Sequence, residues 1–315
     1  MATLNRDTPP GGTSLLDRVF APGVLSSLDR MRLRISRASG DRPGHTRVRG
    51  RTDPSGSELD RWVPYVAGED LRRVDWHVYA RLGELLVRRF VAEREVPVWI
   101  LIDSSGSMGP AGAGSKLDTA AAVAGLLGAI CLAGGERVYL GAIPHGTRDF
   151  SHCGPLRSRT ALGTLHAFLG SLAPAAGEGD LVAAVETALR LTTRGLVVLV
   201  SDFLIDPGLV ARAADVIVRR GCEGRLVTVL SREDHDPAWL RGRDRIVDRE
   251  SGRVRRITPS VETWQRYRDA LEHQLAQVRE AATSHGMATA FALSGGEIET
   301  LLRDELPKLG LALVR

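Results

Sequence analysis

The pattern of apolar and polar positions is organised around one apolar run near residue 100. This run extends from Val98 to Ile102, between Pro97 and a polar loop that opens with Asp103. A short run rich in β-branched residues is typical of a strand buried on both faces of a sheet. A long helical pattern begins near residue 115. A strand, a polar loop and a helix in this order place side chains at the carboxyl edge of a parallel sheet, where α/β proteins bind ligands.

The same alternation continues along the rest of the chain. The further predicted strands lie at residues 138–143, 196–200, 225–230 and 287–293. The predicted helices lie at residues 117–132, 162–172, 181–191, 209–220, 264–284 and 297–306. Strands that alternate with helices predict an α/β fold with a mostly parallel, Rossmann-type sheet flanked by helices.

Three segments are predicted from composition and pattern. Residues 1–13 form a disordered lead, because they contain a Pro-Pro-Gly-Gly stretch and no apolar periodicity. Residues 14–95 form a helical and β-rich extension that packs on the core, since its aromatic side chains need burial. Residues 96–315 form the sheet domain, with a β-hairpin insertion near 243–258. The aromatic residues expected to hold the extension on the sheet are Trp62, Tyr65, Trp76, Tyr79 and Phe90.

Composition excludes several classes of protein. The longest apolar run, 120–133, is too short for a membrane span and contains two glycines. The N-terminus lacks the apolar segment of a signal peptide, and three scattered cysteines fit a reducing compartment. We therefore expect a cytoplasmic protein without a membrane span. The arginines between residues 30 and 51 are interleaved with aspartates, which favours a solvated or partner-facing surface over nucleic-acid binding.

The loop after the central apolar run has the residue types of a metal site. Asp103, Ser105 and Ser107 offer one carboxylate and two hydroxyl groups on a tight loop. Mg²⁺ prefers such oxygen ligands and usually keeps some waters. The alternative is a polar turn that caps the next helix. Asp202 follows a second apolar run, so we expect Asp103 and Asp202 to meet at the carboxyl edge of the sheet.

The motifs of the chain resemble a bacterial family called domain of unknown function fifty-eight, over about residue 17 to the C-terminus. They are Pro64-Tyr65, Gly68-Glu69-Asp70-x-Arg72-Arg73-x-Asp75-Trp76, Tyr79-Ala80-Arg81, Glu93-Arg94-Glu95 and Asp103-x-Ser105-x-Ser107-Met108. The last of these is the signature of the metal-ion-dependent adhesion site of von Willebrand A domains. The resemblance implies a von Willebrand A-like domain and partnership with a MoxR-type AAA+ ATPase in assembling or activating other proteins.

The resemblance also exposes one departure at the metal site. In von Willebrand A domains a Thr from a second loop and an Asp after a later strand complete the metal shell. Asp202 matches the second position, but Gly179 stands where the Thr is expected. Asp180 is a further candidate, acting through a water or capping its helix. If Mg²⁺ still binds, its affinity is low, so capture of a partner needs Mg²⁺ in roughly the millimolar range, and Gly179→Thr strengthens this capture. If not, partner recognition has moved to the surface, with the Arg-rich extension as the first candidate.

The enzyme classes with recognisable motifs are not indicated. The serines near Asp103 do not form a G-x-S-x-G elbow, and neither a phosphate loop nor a dinucleotide fingerprint is present. His145 and His152 are interpreted as surface or packing residues. The leading hypothesis is a non-enzymatic protein-interaction module. A metal-dependent hydrolase and an Arg-rich nucleic-acid-binding protein are the alternatives, and the client protein stays unidentified.

Overall fold

The structure is a computed structural model that describes residues 14–35, 58–91, 96–111, 114–146, 149–177, 179–192, 194–235, 245–247, 253–256 and 260–313. The predicted lead at 1–13 and the arginines between residues 42 and 51 lie outside these ranges. The strands are β1 (Met31–Leu33), β2 (Glu58–Pro64), β3 (Leu86–Val91), β4 (Pro97–Ile102), β5 (Pro110–Ala111), β6 (Gly114–Ser115), β7 (Arg137–Ala142), β8 (His152–Leu156), β9 (Leu196–Ser201), β10 (Glu223–Leu230), β11 (Arg245–Val247), β12 (Val254–Arg256), β13 (Ala288–Leu293) and β14 (Leu311–Leu313). The helices are α1 (Leu15–Val19), α2 (Pro22–Leu28), α3 (Trp76–Leu82), α4 (Lys116–Gly134), α5 (Leu162–Gly170), α6 (Leu181–Leu191), α7 (Pro207–Arg219), α8 (Arg232–His235), α9 (Val261–Thr283) and α10 (Ile298–Thr300).

Six strands form the main sheet, in the spatial order β13-β10-β9-β4-β7-β8. Five are parallel, and β8 pairs antiparallel with β7 at one edge. Ile102 at the end of β4 pairs with Val200 of β9 and Ala142 of β7, so these three strands end at the same edge. This order, with helices on both faces, confirms the predicted α/β, von Willebrand A-like fold.

Strand β4 is buried on both faces because helices cover the sheet on each side. Ile100 and Ile102 belong to the apolar cluster that includes α4, and Trp99 and Leu101 belong to the cluster that includes α6 and α7. Neighbouring residues of a strand point to opposite faces, so a strand covered twice needs apolar residues at every position. The unbroken apolar run of the sequence therefore has its cause in the two-sided packing.

Trp99 is the largest side chain of the second cluster and is 1% exposed. Its indole stacks on the ring of Tyr139, with the ring centroids 4.8 Å apart. Its Nε1 donates a hydrogen bond to Thr192 Oγ1 at 2.9 Å. A buried indole is stable when its polar N–H is paired in this way. Trp99 thus joins β4, β7 and the end of α6 into one packed face.

Helix α4 runs through the middle of the first cluster and is buried on nearly all sides. The sheet covers one side, and α1, α2 and α5 pack against the rest. Asp118 Oδ2 also accepts the N–H of Leu15 at 3.1 Å, which ties α1 to α4. Among the described residues, α4 is long and apolar enough to cross a membrane, but 83% of that segment is buried in the fold. Its composition is accounted for by this core position.

The segment with β2, α3 and β3 corrects one expectation from the sequence. Strands β2 and β3 pair antiparallel, and Asp75 caps α3 while its Oδ2 accepts the indole N–H of Trp62 at 3.1 Å. Trp62, Trp76 and Tyr79 are 47%, 54% and 43% exposed. The prediction that their burial holds the extension on the sheet is therefore wrong for these three side chains. The side chain of Phe90 lies outside the described residues.

Two short strand pairs complete the described structure outside the main sheet. Strand β1 pairs antiparallel with β14, with Met31 opposite Leu313, so the N-terminal part is tied to the C-terminal end. Strands β11 and β12 pair antiparallel between α8 and α9. Helix α9 then packs against α7 and β13. The N-terminal strand β1 and the C-terminal strand β14 thus hold each other in place beside the main sheet.

Candidate functional site at the carboxyl edge of the sheet

Asp103 and Asp202 lie at the carboxyl ends of two neighbouring parallel strands. Asp103 directly follows β4, and its N–H donates to Val200 O of β9 at 2.8 Å. Asp202 directly follows β9. Asp103 and Asp202 are buried, with 6% and 1% of the residue exposed. A buried carboxylate must find donors or a cation inside the protein, so each contact of these two side chains carries information about the site.

Asp103 is held by three groups of the protein. Its Oδ1 accepts the N–H of Ser105 at 2.8 Å, and its Oδ2 accepts Ser201 Oγ at 2.5 Å. His145 Nε2 lies 3.1 Å from Oδ1, off the line of a well-formed hydrogen bond. Burial by itself would raise the pKa of Asp103, but the contacts with His145, Ser201 and the Ser105 N–H outweigh it and lower the pKa. The carboxylate is therefore ionised and solvated by protein groups.

Asp202 is paired with a buried lysine. Its Oδ2 lies 2.7 Å from Lys116 Nζ, and its Oδ1 accepts the N–H of Leu204 at 3.2 Å. Asp234 Oδ2 lies 2.9 Å from the same ammonium. Burial by itself would lower the pKa of Lys116, but the charges of Asp202 and Asp234 outweigh it and raise the pKa. The three side chains form a charged cluster with one cation between two carboxylates.

The loop that follows Asp202 is fixed by hydrogen bonds and a special backbone conformation. Phe203 is buried with a φ of 49°, in the left-handed region that is uncommon for non-glycine residues. Its N–H donates to Ser201 Oγ at 3.0 Å. From α9, the amide of Gln274 donates to Phe203 O at 3.1 Å and to Ile205 O at 2.5 Å. Such contacts hold an uncommon conformation in place.

The other predicted ligands, Ser105, Ser107 and Asp180, form hydrogen bonds with other groups of the protein. The hydroxyl groups of Ser105 and Ser107 are 2.9 Å apart and hydrogen-bonded to each other. Asp180 is exposed and acts as the N-cap of α6, where its Oδ1 accepts the N–H of Ala183 at 2.8 Å. Of the two roles considered for Asp180, the structure places it in the capping role.

His145 fills the space in which a side chain at position 179 would lie. A Cβ on Gly179 would be 2.5 Å from His145 Cε1 and 2.9 Å from its Nδ1. The backbones of the two residues also form an isolated antiparallel bridge, and Asp180 N donates to Pro144 O at 3.1 Å. The His145 ring is 3% exposed. The glycine is thus matched to a buried histidine that approaches Asp103 from the second loop.

Four site residues were missed or misjudged from the sequence: Lys116, His145, Ser201 and Asp234. A lysine at the start of an otherwise apolar helix was a signal that the sequence already contained. His145 was interpreted as a surface or packing residue, whereas it is buried against Asp103. The contacts of Ser201 and Asp234 depend on the pairing of distant strands, and the sequence contains no local signal for them.

The arrangement does not fit the Mg²⁺ shell that the fold family implies. Asp202 already carries an ammonium group at 2.7 Å, and position 179 has no room for the Thr ligand. Among the described residues, no group of three or more His, Cys, Asp or Glu side chains is arranged to hold a metal ion. Mg²⁺ needs a near-octahedral set of oxygen ligands. The two carboxylates at this edge are instead contacted by Ser201, His145 and Lys116 of the same chain.

Three solved structures resemble this chain. The conserved hypothetical protein BatB of Bacteroides thetaiotaomicron is 17% identical, with a TM-score of 0.42, and the match covers 68% of this chain and 98% of that one. An aerotolerance-related membrane protein of Bacteroides fragilis is 18% identical, with a TM-score of 0.43 and the same coverage. Manganese-loaded Plasmodium vivax TRAP protein is 18% identical, with a TM-score of 0.31, over 42% of this chain and 57% of that one.

One prediction from the sequence, the location of the protein, is corrected. The cytoplasmic location predicted from the sequence is contradicted, because a structural neighbour is named as a membrane protein. That prediction was based on the short apolar runs, the N-terminus without a signal-like segment and the scattered cysteines, and these features do not exclude a membrane association. We therefore withdraw the cytoplasmic assignment.

Sequence relatives are uncharacterized. Proteins of Mycobacterium bovis and Mycobacterium tuberculosis are 37% identical over 156 residues, which is 47% of this chain and 48% of each relative. The match thus spans about half the length of these curated relatives. Residues 62–281, more than half of the chain, match the family described as Protein of unknown function DUF58. The chain belongs to this family.

Proposed function

We propose that this chain is a protein-interaction module that acts with a MoxR-type AAA+ ATPase in assembling or activating other proteins. The von Willebrand A-like fold supports a binding role. The ATPase partner comes from the resemblance of the sequence motifs. The carboxyl edge of the sheet serves in this proposal as a rigid support.

The geometry of the site does not fit a Ser-His-Asp hydrolase. In a Ser-His-Asp arrangement the histidine lies between the nucleophile and the carboxylate. Here Asp103 lies between Ser201 and His145, so the serine donates to the carboxylate and not to the imidazole that would act as its general base. Asp103 and Ser201 are 6% and 2% exposed, which leaves little room for a substrate. These contacts favour a structural role for the cluster.

The observation that carries the proposal is an exposed apolar surface on the segment with β2 and α3. Trp76, Tyr79 and Leu82 follow one another at spacings of three residues along α3, and no residue of this helix is buried. The rings of Trp76 and Tyr79 meet edge to face, with centroids 6.0 Å apart. We name the face formed by Trp76, Tyr79 and Leu82 the α3 surface, and Trp62 and Leu71 of the same segment are also exposed.

Surfaces of this kind are typical of protein contacts. Large aromatic side chains that remain 43–54% exposed lose hydrophobic free energy unless a partner covers them. Trp and Tyr are also the residues that most often dominate binding energies at interfaces. We therefore assign the α3 surface to the ATPase, in place of the Arg-rich extension considered from the sequence.

The experiment measures binding of the purified full chain to the MoxR-type AAA+ ATPase of the native organism by biolayer interferometry. The double variant Trp76→Ser/Tyr79→Ser should weaken binding at least about tenfold, since loss of aromatic anchors typically costs 2 kcal/mol or more. Val261→Ser is the matched control, because Val261 is 84% exposed at the start of α9, away from the α3 surface in sequence.

Two results would overturn the proposal. One is a wild-type chain that binds no MoxR-type ATPase of its organism. The other is a double variant that binds as tightly as the wild type and the Val261→Ser control. Circular dichroism of each variant establishes that the fold is retained, since the two aromatic side chains are largely outside the core.

A further inference from the structure

Lys116 occupies a position that is unfavourable for a lysine. It is the first residue of α4, at the positive end of the helix dipole, and it is 2% exposed. Lys308 is the only other lysine among the 42 lysine and arginine residues of the chain. A buried ammonium group at a helix N-terminus is costly unless carboxylates surround it. A lysine in this place therefore indicates a specific electrostatic role.

The ammonium group joins three separate elements. Its Nζ lies 2.7 Å from Asp202 Oδ2 and 2.9 Å from Asp234 Oδ2, the distances of charge-assisted hydrogen bonds. Asp202 follows β9, and Asp234 lies in α8 just after the neighbouring strand β10. Lys116 thus connects the start of α4 to the ends of two strands at the carboxyl edge of the sheet.

Asp234 is itself built into the fold. Its Oδ2 accepts the N–H of Ser231 at 3.0 Å, and its own N–H donates to Ser231 Oγ at 2.9 Å. Tyr267 of α9 donates its hydroxyl hydrogen to Asp234 O at 2.8 Å. Asp202 and Asp234, the two carboxylates that contact Lys116, are therefore also held by hydrogen bonds to other groups. Together they form a preorganised anionic pocket for one cation.

We propose that the Lys116 ammonium is the resident cation of this site and takes the place that a divalent metal has in a metal-ion-dependent adhesion site. A second cation on Asp202 would be repelled by the ammonium that this carboxylate already binds. The ring of His145 replaces the missing Thr ligand in the same way, because it fills the position of that side chain beside Asp103. The edge of the sheet is then held together by covalently attached side chains and needs no exchangeable ion.

The first test uses the purified full chain alone, so its outcome is independent of the proposed ATPase partner. Thermal unfolding of the wild type should have the same midpoint in MgCl₂ and in EDTA at matched ionic strength. Electron paramagnetic resonance should detect no Mn²⁺ bound to it. A raised midpoint in MgCl₂, or stoichiometric Mn²⁺ binding by the wild type, would overturn the assignment.

Isotope-labelled lysine gives a direct view of the ammonium group by NMR, because the chain has two lysines. The side chain of Lys308 is 55% exposed, and that of Lys116 is 3% exposed. We expect one ammonium signal whose protons exchange slowly with water, and Lys308→Met should leave this signal in place. Fast exchange of both ammonium groups would contradict the buried ion pairs.

The variant Lys116→Met leaves Asp202 and Asp234 without their cation. We expect it to gain what the wild type lacks, a thermal midpoint that rises with MgCl₂ and a bound Mn²⁺ signal, while Lys308→Met stays unresponsive. A folded Lys116→Met that neither binds Mn²⁺ nor responds to Mg²⁺ would overturn the assignment. If Lys116→Met does not fold, the wild-type NMR measurement decides.

Discussion

Gly179→Thr tests whether His145 has taken the space of a metal-binding threonine. A Cβ at position 179 would lie 2.5 Å from His145 Cε1, a contact too short to persist, so the ring must move. The ring is 3% exposed and borders Asp103, which leaves little space for it. Overpacking of this kind costs about 1–3 kcal/mol of unfolding free energy.

The measurement is urea denaturation of four proteins: the wild type, Gly179→Thr, His145→Ala and the double variant. Because His145→Ala removes the ring, Gly179→Thr should cost at least 1 kcal/mol less in that background, and this difference is a coupling energy typical of residues in contact. Gly163→Thr is the matched control, since a Cβ on this helical glycine has no neighbour within 4 Å.

Two outcomes would refute the reasoning about His145. Gly179→Thr as stable as the wild type would mean that the ring does not hold this space. An equal cost in both backgrounds would mean that the cost has another source. The sequence alone predicted that, if Mg²⁺ binds, Gly179→Thr strengthens the Mg²⁺-dependent capture of a partner. The structure instead predicts a loss of stability, because the threonine meets an occupied position.

Two further predictions concern burial. Trp99→Ala should lower the unfolding free energy by about 3–5 kcal/mol, whereas Trp76→Ala should lower it by about 1 kcal/mol, since the latter indole is half exposed; equal losses in denaturation experiments would contradict the assigned environments. Burial raises the pKa of the thiols of Cys131, Cys153 and Cys222, so a thiol reagent should label the native chain slowly at neutral pH and faster as the pH rises. Rapid labelling of all three at neutral pH would show that these thiols are not enclosed.

The sequence by itself determined the architecture of the sheet domain. Its apolar runs were long enough and separated widely enough to define the parallel strands and the helices between them. A strand that is covered on both faces can be recognised from local composition, because it is a continuous apolar run. The apolar runs of β4 and β9 reflect this burial on both faces. The position of Asp103 and Asp202 directly after two such runs also placed them at neighbouring strand ends.

The burial of Trp62, Trp76 and Tyr79 was misjudged because aromatic composition does not reveal which side of a helix is covered. Trp76, Tyr79 and Leu82 have the spacing of a buried helical face, and the same spacing serves for a face that awaits a partner. The local sequence pattern shows which side chains are stabilised by apolar surroundings. It does not say whether the surroundings belong to the same chain.

Only the tertiary structure decided which groups satisfy the buried carboxylates. The motif around Asp103 specified oxygen ligands, but Lys116, His145 and Asp234 reach the site from helix and loop positions far away in the sequence. Ion pairing depends on distances of a few ångström between such groups, and no local period encodes those distances. Tertiary packing therefore decides between a metal ion and an ammonium group. It places the Lys116 ammonium on Asp202, and this bound charge disfavours a metal ion at the same carboxylate.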